Sequence, residues 1–197
     1  MRLFVLARHA HSLLNDERRV NGDPSRHVPL TELGREQARL LGLQVTGLPL
    51  DVCVHTRFGR TKETAELALE GRSVSFETQA LLDDVDIGDL EGQTIDDYRA
   101  WKRAHTRDDA FPGGESLNDA ARRYARGFRS LLAGEWRCAL VVCHEIPIRY
   151  ALNAVAGSTD FDAPVHDIPN AAPFLFDEHS LRRAAEGIGE LARPIPA

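Results

Sequence analysis

The sequence predicts an α/β fold, a three-layer sandwich with a mostly parallel central sheet and helices on both faces, and three observations carry the prediction. Largely apolar runs of strand length recur at Leu3 to Leu6, Asp51 to Val54 and Ala139 to Cys143, without the strict alternation of a half-exposed strand. Each run ends in a polar segment, and a stretch with helical spacing follows. Strands alternating with helices in this way build a buried sheet that binds ligands beyond the carboxyl ends of its strands.

The helices have recognisable starts. Thr31 is placed to cap a helix running to about Val45, with Glu32 at its positive end and Leu33, Leu41 and Val45 roughly on one face. Gly59 to Leu69 reads as a second helix, with Arg60 in its first turn and Thr64 one turn further along the same face. Ser116 and Asp119 form a capping pair, after which Leu117, Ala121, Tyr124, Phe128 and Leu131 repeat at helical spacing. Pro147 suits the first turn of a helix reaching Ala156. No repeat or linker interrupts the chain, so one domain over residues 1–192 is expected, followed by a loose tail at 193–197.

Composition bounds the function. A chain of 197 residues buries about 70% of the surface that its unfolded form exposes, enough for a core without staples. The formal net charge of -6 argues against nucleic acid as a partner, because that binding draws on clustered cations. The run Leu3 to Ala7 is too short for a signal segment, and no stretch approaches a membrane span. Cys53, Cys138 and Cys143 lie in or beside apolar runs, so a disulfide framework is not expected and a reducing, cytoplasmic setting is. In so acidic a chain an anionic substrate must be met locally; arginine is plentiful and lysine nearly absent, which suits planar bidentate contacts, although a GC-rich genome accounts for most of the arginines.

The polar strand ends hold the parts that phosphoryl transfer needs without a metal: a nucleophile, positive charge for the equatorial oxygens, and an acid for the leaving oxygen. A neutral imidazole can attack phosphorus through a phosphohistidine, and His9 directly follows the first strand. Arg8 adjoins it, Arg60 would add a guanidinium from a helix N-terminus, and His144 would donate from another strand end.

These residues lie in motifs that resemble one family. Leu6-Ala7-Arg8-His9-Ala10-His11-Ser12 resembles the Arg-His-Gly signature of the histidine phosphatase superfamily, which includes the phosphoglycerate mutases. Pro29 to Ala38 is similar to that family's first helix, Thr56 to Ala65 to the segment bringing its second arginine, and Val141-Val142-Cys143-His144 to its second-histidine strand. Gly114-Glu115-Ser116-Leu117 resembles a family helix start, and Asn170 has a family-like position. The resemblance runs from residue 2 to about 177. It implies catalytic roles for His9, Arg8, Arg60 and His144, substrate contacts from Asn15, Asn21 and Gly22 in addition to the arginines and His144, and a general acid at Asp84. Asp83 and Asp86 are alternative acids. Arg57 is left as a surface residue. No cofactor or metal is implied.

Three departures stand out. Ala10 replaces the glycine after the nucleophile, Glu145 replaces the glycine after His144, and Asp84 is one methylene shorter than the usual glutamate. A carboxylate at 145 turned into the pocket would repel phosphate, so an outward direction is expected. Glu115 is read as a charge favouring its helix N-terminus, and Asp89, Glu91, Asp96 and Asp97 as a solvated acidic face. His27, His55, His105, His166 and His179 have no motif support. The expected activity is hydrolysis of a small phosphorylated metabolite. The alternatives are mutase-type transfer, a catalytically weak phosphate-binding scaffold, and a metal-dependent hydrolase using His9 and His11. The short segment Gln93 to Pro112 favours hydrolysis and, with Trp101, Lys102, Arg103 and His105, is where specificity is expected.

Overall fold

Alternation along buried strands divides the interior into two cores, one on each side of a single sheet. The computed structural model describes residues 2–193. Of the tail expected at 193–197, everything beyond Arg193 lies outside the described residues. In chain order the elements are β1 (Leu3–Arg8), α1 (Leu13–Asp16), α2 (Glu32–Gln44), β2 (Val52–His55), α3 (Gly59–Ala68), β3 (Ser75–Thr78), α4 (Ile95–Ala104), α5 (Leu117–Ala133), β4 (Cys138–Cys143), α6 (Glu145–Val155), β5 (Pro173–Asp177) and α7 (Glu178–Leu191).

The sheet order is β3-β2-β4-β1-β5. β1 pairs parallel with β4, and β2 parallel with both β3 and β4, while β5 closes the edge antiparallel to β1. Phe4, Leu6, Val52, Val54 and Val141 face a core shared with α5, α6 and α7. Val5, Ala7, Cys53, Leu140 and Val142 face a second core beneath α2 and α3. This is the three-layer α/β arrangement expected from the sequence.

The helix signals act as anticipated. Thr31 Oγ1 accepts from Gly34 N at 3.1 Å to cap α2, and Ser116 and Asp119 form a reciprocal capping box at the start of α5, each worth about 1 kcal/mol. Leu117, Ala121, Tyr124, Phe128 and Leu131 are all buried on the inner face of α5. β3, β5, α4 and α7 are additions to the sequence reading. All three cysteines are free and buried.

Candidate active site

Strand pairing brings the two histidines together. Arg8 stands opposite Cys143 in the β1–β4 ladder, and His9 N donates to the Cys143 carbonyl at 2.9 Å. His9 and His144 thus leave neighbouring strands at one level, with ring centroids 5.5 Å apart and planes inclined at 64°. His9 is buried, and its Nδ1 lies 2.8 Å from the Ala10 carbonyl oxygen. A carbonyl only accepts, so Nδ1 carries the proton and Nε2 keeps its lone pair. Burial first, then Arg60 and Arg8, hold the His9 pKa well below that of an ordinary imidazole, which keeps the ring neutral and nucleophilic.

A hydroxyl chain sets the orientation of His144. Its Nε2 is 2.9 Å from Thr56 Oγ1, which is 2.9 Å from Thr61 Oγ1, and Thr61 donates to the Phe58 carbonyl at 2.8 Å. Since Thr61 gives its proton to a carbonyl, Thr56 donates to Thr61 and accepts from His144 Nε2–H. The other nitrogen, Nδ1, faces Arg60 Nη2 at 3.2 Å and Asp84 Oδ2 at 3.3 Å. Burial, followed by Arg60 and His9, lowers the His144 pKa. Neither threonine stood out in the sequence, because a hydroxyl relay has no spacing signature.

The two arginines converge from opposite sides. Arg60, buried at the start of α3, directs Nη2 to Asp84 Oδ2 at 3.0 Å, donates through Nη1 to Asn21 Oδ1, and lies 4.3 Å over the Phe58 ring. Arg8 donates Nη1 to the Ile168 carbonyl at 2.7 Å, and its buried Nε has no hydrogen-bond partner among the described residues. An unsatisfied buried N–H costs free energy, so this guanidinium keeps unspent donor capacity. Arg8, His9, Asn15, Asn21, Arg60 and Asp84 line one cavity of about 440 Å³.

Of the three candidate acids, Asp84 is the one that lines this cavity. Asp83 turns away and binds Arg57, accepting from its backbone N at 2.9 Å and from Nε at 2.5 Å. Asp86 is exposed and accepts from Gly88 N at 3.1 Å. The loop carrying Asp83, Asp84 and Asp86, the acid loop, hangs from Arg123, which donates to the carbonyls of Leu81, Asp83 and Asp84 at 3.2, 2.9 and 3.0 Å. Glu115 fixes Arg123 through its Nε at 3.2 Å and accepts from Asp86 N at 3.0 Å. The helix-dipole role expected for Glu115 is thereby replaced by one as anchor of this loop.

Glu91 is a second correction, since it is no part of a solvated acidic face. Its carboxylate accepts from Gly22 N at 2.7 Å, Asp23 N at 3.2 Å, Asn21 Nδ2 at 2.8 Å and Arg26 Nη1 at 3.1 Å. Gly22 therefore spends its N–H on Glu91, and a Cβ there would stand 2.2 Å from the Val85 carbonyl oxygen. Asn15 lines the cavity while its Oδ1 accepts from Ser12 N at 3.0 Å. Asn170 Nδ2 donates to the His9 carbonyl at 2.7 Å. Replacing Glu91 by alanine strands several donors of the Asn21 turn, so it should lower stability by about 1–3 kcal/mol in urea unfolding. It should also raise KM more than it lowers kcat.

The departures resolve differently. Ala10 is fully buried in the core beneath α2 and donates its N–H to Thr64 Oγ1 at 3.0 Å. Positive φ among the described non-glycine residues occurs at Arg18 and Ala171, so the Ala10 methyl imposes no backbone strain beside His9. Glu145 does not turn outward as expected: it lines the cavity, with Oε2 3.0 Å from Arg8 Nη1 and Oε1 2.7 Å from Arg149 Nη1. Two arginines, distant in sequence or on the next helical turn, pull it inward. His11 is committed elsewhere, with Nδ1 3.0 Å from Thr31 Oγ1 and its backbone N bonded to Gln37 Oε1 at 2.9 Å. Among the described residues, no group of three or more His, Cys, Asp or Glu side chains gathers to hold a metal ion. Lys102 and His166 line the cavity, while Trp101 packs on Phe111 and stacks on His105 at 4.1 Å each.

Comparison with known proteins agrees with this geometry. The family model of the histidine phosphatase superfamily (branch 1) matches residues 4–179. A protein of Salmonella choleraesuis named probable phosphoglycerate mutase GpmB is 29% identical over 160 residues, spanning 77% of this chain and 74% of its own. Among solved structures, Bacillus stearothermophilus YhfR is similar with a TM-score of 0.78 and 25% identity over 90% of this chain and 91% of that one. Mycobacterial glucosyl-3-phosphoglycerate phosphatase Rv2419c, solved in complex with VO3, is similar with a TM-score of 0.70 and 26% identity over 89% and 92% of the respective chains. With its profile matched over nearly the whole length and its two histidines meeting at adjacent strand ends, the chain belongs to the histidine phosphatase superfamily, in its first branch.

Proposed function

We propose that this protein is a phosphatase that hydrolyses small phosphate monoesters through a phosphohistidine on His9, without a metal ion. The observation that carries this reading is the free Nε2 lone pair of His9 beside two arginines and a second buried histidine. His9 Nε2 attacks phosphorus as the ester P–O bond breaks, and Asp84 gives its proton to the departing oxygen. Arg8 and Arg60 hold the equatorial oxygens in place of a metal, and His144, buried behind them with Nε2–H given to Thr56, joins them when the bound dianion draws a proton onto its Nδ1. In the second step water attacks the phosphohistidine, Asp84 takes the water's proton, and inorganic phosphate leaves.

The environment of Asp84 suits this duty. Burial raises its pKa above the ordinary carboxylate range, with Arg60 pulling the other way, so the acid form survives to higher pH than usual. The cavity volume, about 440 Å³, supports a small-molecule substrate. No helix among the described residues is long and apolar enough to cross a membrane, and the free, buried cysteines support a cytoplasmic enzyme.

Phosphoglycerate mutase activity is the second reading, favoured by the name of the Salmonella relative. The short α4 (Ile95–Ala104), the principal helix between the acid loop and α5, supports hydrolysis instead. The test is phosphate release from a panel of monoesters with chelator present, alongside isomer exchange on phosphoglycerate and trapping of an acid-labile phosphoenzyme. Chelator-resistant release with a labelled histidine is the expected result. Isomer exchange exceeding release would favour the mutase, and loss of activity with chelator would overturn the metal-free mechanism.

A further inference from the structure

A row of alternating charges forms one wall of the cavity beside the phosphoryl subsite. Arg8 Nη1 lies 3.0 Å from Glu145 Oε2, Glu145 Oε1 lies 2.7 Å from Arg149 Nη1, and Arg149 Nη2 lies 2.8 Å from Asp162 Oδ1. Arg149 is thus shared between Glu145 and Asp162, as Glu145 is shared between Arg8 and Arg149. Glu145 begins α6 directly after His144, so its side chain issues from the same strand end as the second imidazole. Although both of its oxygens contact arginines, 28% of the side chain remains exposed where it lines the cavity.

Two consequences follow from that placement. With Nη1 occupied by Glu145 and the Ile168 carbonyl, Arg8 has Nη2 and the buried, unpartnered Nε left to spend. A fixed carboxylate also lines the cavity beside Arg8. A hydroxyl there can donate to it, whereas an acid there meets a like charge. Arg19, Arg99, Lys102 and Asp167 also line the cavity, so the discrimination assigned to Glu145 belongs to its own wall and not to the cavity as a whole.

We propose that Glu145 is a specificity-determining residue that selects phosphomonoesters of polyhydroxy alcohols over esters carrying an acid on the carbons next to the phosphate. The inference rests on the phosphatase reading for the identity of the phosphoryl subsite. It is independent of whether turnover ends in water or in a second alcohol.

Glycerol 3-phosphate and 3-phosphoglycerate form the natural probe pair, because they share a carbon skeleton and differ in a hydroxymethyl group against a carboxylate. The protein should favour glycerol 3-phosphate in kcat/KM by about tenfold or more, an effect of like-charge repulsion across a partly desolvated wall. Glu145→Gln keeps an acceptor toward Arg8 and loses the charge, and it should cut that preference to about twofold or less. Equal use of the two esters, preference for the acid, or a preference that survives in Glu145→Gln would overturn the proposal. Dissociation constants for the same pair, measured by calorimetry in a His9→Asn background with and without Glu145→Gln, should shift in the same sense. Absence of that shift sinks the role of Glu145, whereas the shift without any turnover by the unmodified enzyme sinks the phosphatase reading and leaves Glu145's role standing. Should Glu145→Gln fail to fold, the preference within the His9→Asn protein decides.

Discussion

Replacing His9 by asparagine is expected to abolish turnover, lowering kcat on the order of 10⁴-fold or more and eliminating any acid-labile phosphoenzyme. No neighbouring group can substitute. His11 is bound to Thr31 and Gln37 at the start of α2, and both nitrogens of His144 are engaged, Nε2 by Thr56 and Nδ1 by Arg60. Asparagine should fold in this place, because its side-chain amide can still donate to the Ala10 carbonyl that His9 Nδ1 contacts at 2.8 Å. Binding of phosphate should survive, since Arg8, Arg60 and His144 remain. Rapid-quench labelling with a phosphorus-labelled substrate, together with steady-state rates, measures both losses. A variant that retained the label would place the nucleophile elsewhere.

The second large effect belongs to Asp84, and its size should depend on the alcohol that leaves. For glycerol 3-phosphate, whose alkoxide cannot depart without a proton, Asp84→Asn should cost on the order of 10²- to 10⁴-fold in kcat/KM. For 4-nitrophenyl phosphate, whose phenolate departs unaided, the cost should be less than about tenfold. The pH profile adds a separate reading. Because burial raises the Asp84 pKa, the acid is present below that raised value, and the rate should fall as pH climbs through it. That alkaline limb should vanish in Asp84→Asn. The acid limb should remain, since it reflects protonation of His9 at a pKa well below the ordinary imidazole value. A profile with its alkaline limb intact in the variant would transfer the proton to another group.

The histidines and arginines were legible in the sequence because each sits at a place that secondary structure defines. His9 follows a buried strand, His144 follows another, and Arg60 occupies the first turn of a helix. Topology then needed only to make β1 and β4 neighbours. Glu91 and Glu145 were misread for a shared reason. The direction of a carboxylate is set by its partners, and those are the Asn21 turn for Glu91 and Arg8 for Glu145. The Asn21 turn is remote from Glu91 in sequence, so that carboxylate looked like part of a solvated face, and Arg8, which with the helical neighbour Arg149 turns Glu145 inward, is remote from Glu145. Glu115 was misplaced likewise, its partner Arg123 lying on the helix it was expected only to flatter.

Among the elements, β3 left no apolar signal because all four of its residues are exposed at the sheet edge. α4 buries no residue completely, so its spacing carried little weight beside its capping box at Thr94 and Asp97. α7 was readable and went unread: Asp177 caps it through Ser180 N, and Leu181, Ala184, Ala185 and Ile188 are buried at helical spacing. Arg60 and Asp84, by contrast, share a salt bridge at 3.0 Å that no sequence pattern announces.

The β1–β4 ladder has a consequence for how activity appears during folding. One imidazole is carried near the beginning of the chain and the other in its final third, and they become neighbours only once those strands zip together. Joining such remote segments pays a large loop-closure entropy and is typically a slow step. An incompletely assembled chain, however helical, therefore lacks the reactive pair, and the onset of turnover reports completion of the sheet's centre.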